Sequence, residues 1–127
     1  MPRTFTITET HMQAFSKQQA QRFESDMVAH VRKNFPNESR GLSDAELREI
    51  IQERIKKAES FNIVLEPDVA HYIELTIVLG PDFETEPATD WTQPILLDRQ
   101  LSGRDKIERI HEQIMFGGGD SAVETNA

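Results

Sequence analysis

The chain has 127 residues, 14.6 kDa, no cysteine and a formal charge of −8 from 22 acidic against 14 basic residues. That length is enough for one modest core and one domain. The missing cysteines exclude disulfides, thiolate nucleophiles and Cys-based zinc sites, and the charge disfavours sequence-independent nucleic-acid binding or docking on anionic lipid.

The first helical pattern runs from about Glu9 to Asn34, with Met12, Phe15, Phe23, Met27, Val31 and Phe35 on one stripe. Two starts compete. Thr8 caps with Ile7 and Met12 stapled across it, or Thr10 and Gln13 form a capping box. Pro36 ends the run. About 26 residues would span on the order of 39 Å. This exceeds what a bundle of this size needs, so a helix-mediated homodimer is expected. After the turn "PNESRG", Ser43 and Glu46 match a capping box, and Leu47, Ile50, Ile51, Ile55 and Ala58 form the second buried stripe. Lys56 and Lys57 suit the helix C-terminus, and Asn62 is a left-handed terminator.

"EPDVAHYIELTIVLGP" carries β-branched and aromatic residues that suit a strand. Pro67 in a first turn, Asp68 after it and Gly80-Pro81 as a stop favour helix, and no partner strand exists to satisfy a lone one. Val69, Tyr72, Ile73, Thr76, Ile77 and Leu79 then make its apolar face. Trp91 opens a short helical turn through "QPILL". Ser102 caps a last helix whose Ile107, Ile110, Ile114 and Met115 are expected to face inward. The expected architecture is all-α: one bundle of four main helices plus a short fifth over residues 1–116, with a flexible tail over 117–127.

No motif for catalysis, cofactor or metal emerges. "HEQIM" at 111–115 places Met115 where H-E-x-x-H requires its second histidine. Histidines 11, 30, 71 and 111 include no i, i+4 pair, and each reads as a surface or helix-boundary residue. His30 and His71 lie beside core stripes, so packing of their helices would bring His71 near Glu74 or Asp26. "GPDFETEPATDW", residues 80–91, fails the calcium-loop pattern: counted from Asp82, its sixth position is Pro87 and its twelfth Gln93. It reads as a proline-stiffened connector pinned by Phe83 and Trp91, with its acids facing water. Asp82, Phe83, Glu84, Glu86, Asp90 and Trp91 are the candidate partner-binding residues, since aromatics concentrate at hot spots and acids steer a basic partner.

The segments "MVAHVRKNFP" and "RIKKAESFNIVLEPDVAHYIELTIVLGPDFETEPATDW" carry M-x-x-H-h-R-x-x-F-P, I-x-x-A, D-V-x-x-Y-I-x-L and G-x-D-F-[DE]-x-x-P followed by a Trp. The matching residues are Met27, His30, Arg32, Phe35 and Pro36; Ile55 and Ala58; Asp68, Val69, Tyr72, Ile73 and Leu75; and Gly80, Asp82, Phe83, Glu84, Pro87 and Trp91. Over roughly residues 9–98 the chain resembles a group of small bacterial proteins that accompany type VI secretion spike and toxin genes. It departs from them in having "ATD", not a proline, just before Trp91. The resemblance implies a cytoplasmic adaptor or chaperone for a basic toxin or spike protein, without catalytic residues or cofactor. Two other functions fit such a chain: an immunity protein that neutralises a cognate toxin, and a small enzyme using a His–carboxylate pair. "MPRTFTITETHM" lacks the apolar core of a signal peptide, which also favours the cytoplasm.

Overall fold

A computed structural model describes residues 16–117. Among them are six helices and no strand: α1 (Lys17–Asn34), α2 (Pro36–Ser39), α3 (Asp44–Ser60), α4 (Glu66–Leu79), α5 (Thr92–Leu97) and α6 (Gly103–Glu112). A single π turn, Gln113–Gly117, follows α6. The all-α expectation is met, with one short helix more than expected. Four longer helices carry the bundle, and α2 and α5 are one-turn and six-residue pieces.

The helix boundaries follow local chemistry. Ser43 accepts from Glu46 N–H while the Glu46 carboxylate accepts from Ser43 N–H, the expected capping box. Asn62 ends α3 at φ 63°, in the left-handed region that its short polar side chain tolerates. Pro67 sits in the first turn of α4, and Gly80, at φ 115°, takes the chain out of it. The segment "YIELTIV" is helical because its wide apolar face is covered on several sides. The start of α1 is a correction. Ser16, extended at φ −65°, ψ 167°, closes a capping box with Gln19, so the helix has 18 residues rather than about 26. Thr8, Thr10, Met12 and Phe15, like the expected tail from residue 118 onward, lie outside the described residues. At 18 residues α1 has ordinary length, and length no longer argues for a dimer.

Helix α3 packs between α1 and α4, α4 packs between α3 and α6, and α5 lies against α6. The core joins Phe23, Met27 and Val31 of α1, Leu47, Ile51 and Ala58 of α3, and Val69, Tyr72, Ile73 and Leu75 of α4. Ile63, Phe83, Leu96, Ile107 and Ile110 complete it. Ile114 and Met115 differ from expectation and face solvent. The π turn changes the angle per residue after Glu112, so an inward stripe counted at 3.6 residues per turn no longer points inward.

Polar groups bind the helices at three places. Arg32 donates to the Ser39 and Leu42 carbonyls and to Asp44, tying the turn after α2 to the end of α1. Glu24, buried on α1, accepts from Arg48 (3.2 Å) and Gln52 (3.1 Å) of α3. Lys106 of α6 is buried and donates 2.7 Å to the carbonyl of Phe61, at the C-terminal end of α3. Burial pushes the Lys106 ammonium below the usual lysine range, with Asp98 pulling it partly back. Gly103 meets the Asn62 carbonyl and Ile63 backbone so closely that an added Cβ would lie 3.1 Å from both. The first turn of α6 therefore rests directly on the turn that ends α3.

Candidate functional site

The loop of residues 80–91 folds back on the bundle through successive turns. Thr85 N–H bonds to the Asp82 carbonyl, Thr89 N–H to Glu86, and Gln93 N–H to Asp90, while the Thr89 hydroxyl donates to the Phe83 carbonyl. Phe83 is fully buried, its ring 5.8 Å from that of Tyr72. Glu84 follows it inward. Its carboxylate lies 2.6 Å from Lys57 of α3, and the same ammonium lies 2.8 Å from Asp82. Burial alone would push Lys57 down, but the hydrogen bonds it donates to Asp82 and Glu84 outweigh it and hold the ammonium above the usual lysine range. Reciprocally, the Lys57 hydrogen bond holds Asp82 below the usual carboxylate range.

The six candidate residues therefore divide. Phe83 and Glu84 are turned into the protein, Asp82 is exposed but held by Lys57, and Glu86, Asp90 and Trp91 face solvent. Neither Glu86 nor Asp90 forms an ion pair with another described residue. Two expectations are corrected. Glu84 does not face water, because Lys57 offers it a cation at the core's edge. Trp91 is 37% exposed, so Phe83 carries the pinning.

Beneath the loop, three buried polar atoms have no hydrogen-bond partner among the described residues: Tyr72 Oη, Glu84 Oε1 and Arg54 Nε. Burial pushes the Tyr72 hydroxyl well above the usual phenol range, and the Glu84 charge adds to the rise. An unfolded tyrosine loses its proton near pH 10, whereas the folded one keeps it. Above pH 10 the native state thus binds more protons, and this part of the stability, complete below pH 10, is lost as pH rises. Lys57 acts in the same direction and Lys106 in the opposite one, so the difference between Tyr72→Phe and the parent isolates the phenol. Tyr72→Phe is expected to be neutral or stabilising by about 1 kcal/mol at pH 8, since it removes an unpaired hydroxyl. It should also flatten the decline between pH 9.5 and 11. Urea unfolding across that range checks both; a clear loss of stability at pH 8 would show that the hydroxyl has a partner.

The histidines pair differently from expectation. His30 Nε2 meets the Glu74 carboxylate, joining α1 to α4, and Asn34 Nδ2 lies 3.2 Å from His30 Nδ1. The expected imidazole–carboxylate meeting of these helices therefore involves His30, not His71. His71 points the other way and meets His111 of α6, ring centres 5.9 Å apart. Sequence gave no signal for this pair, which is separated by forty positions and brought together by the α4–α6 packing.

That packing also leaves an open groove of about 420 Å³, which no spacing along a single helix foretells. Its walls carry Asp68 and His71 from α4, and Ile107, Glu108, His111 and Glu112 from α6. Arg104 closes one end, with Nε 3.8 Å from buried Asp68. At the other end the π turn presents Met115 and Phe116, 70% and 79% exposed. The groove thus has apolar side chains at its lip and, along its wall, the acids Glu108 and Glu112, which form no ion pair with another described residue. It does not include His30 or Glu74.

Among the described residues no helix is long and apolar enough to cross a membrane. Comparison of the chain with protein-family models, with curated proteins and with solved structures gives no match.

Proposed function

We propose that this chain is a small cytoplasmic binding protein that holds a basic protein partner, and that the α4–α6 groove is where the partner sits. One observation carries the reading: Met115 and Phe116 stand almost bare at the lip of a groove walled by Glu108 and Glu112. Exposed large apolar side chains beside a polar rim have the anatomy of an interface centre. A net charge of −8, with the wall acids free of ion pairs among the described residues, favours a partner segment that is basic and carries an apolar anchor. Glu86, Asp90 and Trp91 on the loop supply a second acidic surface, suited to steering the encounter. Together with the resemblance to companions of type VI secretion genes, this supports an adaptor or chaperone for a secreted toxin or spike component.

Binding of the product of an adjacent gene tests the reading. Met115→Ser with Phe116→Ser should weaken affinity about tenfold or more, a loss of about 1.4 kcal/mol or more. Glu86→Lys with Asp90→Lys should mainly slow association and reduce its salt dependence. If the first pair leaves affinity untouched, the groove is not the docking site. Rescue of cells expressing the toxin would instead identify an immunity protein.

A further inference from the structure

The geometry points to a second property of the same region, independent of the docking reading: His71 and His111 form a two-histidine site for a divalent transition-metal ion bridging α4 and α6. Their ring centres lie 5.9 Å apart with planes inclined at 41°. Imidazole nitrogens bind zinc at about 2.0–2.1 Å, which places the centres of two rings sharing one ion roughly 5–6 Å apart at tetrahedral or somewhat wider angles. The observed separation falls within that span.

Distance alone would also describe two rings in simple contact. The hydrogen bonding separates the cases. Both nitrogens of His30 are engaged, by Glu74 and Asn34. Neither His71 nor His111 makes a side-chain hydrogen bond with another described residue, and both are exposed at the groove. Their lone pairs are free for a metal. The surroundings favour a cation: Glu108 lies one turn before His111, Glu112 beside it, and Asp68 one turn before His71, against the single guanidinium of Arg104.

Among the described residues no group of three or more His, Cys, Asp or Glu side chains is placed to hold a metal. The ion would therefore take two imidazoles and fill its other positions with water, making it exchangeable. Imidazole pairs suit copper, nickel and zinc, whereas magnesium and calcium require oxygen ligands. The open positions face the groove.

The test uses the full chain, stripped with a chelator and titrated separately with Ni²⁺, Zn²⁺ and Mg²⁺. Calorimetry should show saturable uptake of one Ni²⁺ or Zn²⁺ per chain and none of Mg²⁺. The unfolding midpoint should rise with the logarithm of the free Ni²⁺ or Zn²⁺ concentration. His71→Ala and His111→Ala should each abolish the uptake, and His30→Ala should leave it unchanged. Histidine ring NMR signals should show resonances 71 and 111 shifting together. Uptake that survives either His71→Ala or His111→Ala places the ion elsewhere and overturns the bridging site, as does the absence of saturable uptake.

Discussion

Phe83→Ala is expected to destabilise the protein by about 3–5 kcal/mol, the usual cost of removing a fully buried phenyl ring. Against the 5–15 kcal/mol available to an ordinary domain, this is a large fraction. The ring lies against Tyr72, and the loop holds few other apolar anchors, because Trp91 is part-exposed and the remaining loop residues between Gly80 and Asp90 are polar, proline or the exposed Ala88. The loss should therefore have a local component. Amide exchange at Thr89 and Thr92, whose turns follow the Phe83 carbonyl bond, should accelerate more than exchange in the middle of α3. Trp91→Ala should cost much less. Equal effects from the two substitutions, or a Phe83→Ala loss below about 1 kcal/mol, would show that the ring does not fasten the loop.

Lys57→Met carries the second large effect. It leaves the Glu84 carboxylate, whose side chain is only 7% exposed, without its cation. Removing one partner of a fully buried pair costs about 3–5 kcal/mol. Lys57 keeps some contact with solvent, so about 2–3 kcal/mol is expected here, read as a lowered urea midpoint. Adding Glu84→Gln to Lys57→Met should recover part of the loss, because the stranded charge is gone. Asp82→Asn should do little, since that carboxylate is largely exposed and its pair with Lys57 is screened by solvent. If the double variant is as unstable as the sum of the singles, Lys57 and Glu84 do not act as a pair.

Much of the fold was legible because helix ends are written locally. Ser43 with Glu46, Asn62, Pro67, Gly80 and Ser102 each act within four residues of themselves, and each does what its chemistry implies. Ser16 with Gln19 carries the same kind of signal. It was hidden because Met12 and Phe15 extend the apolar stripe upstream, and periodicity does not register a break in the backbone. The residues on which the expected resemblance rests are largely those that build the bundle: Met27, Val69, Tyr72, Ile73 and Phe83 are buried, and Arg32 ties a turn. A pattern of that kind speaks to shape more than to role.

The candidate site was poorly legible for the complementary reason. Whether Glu84 faces water depends on Lys57, twenty-seven positions earlier, and on the path of the loop over α3. The groove and the His71–His111 pair depend on how α4 lies against α6. The exposure of Met115 depends on one π turn. None of these is encoded in spacing along a single element.

The buried Lys106 gives the groove its mechanical character. One wall of the groove is α6, and a single ammonium on its inner side is plugged into the Phe61 carbonyl just past the end of α3, reached from 45 residues along the chain. A partner that wedged α6 outward would have to drag that ammonium from its oxygen and strand it among apolar side chains. The helix is riveted rather than hinged, and the groove meets its occupant as a preformed mould whose adaptable part is confined to the bare lip at Met115 and Phe116.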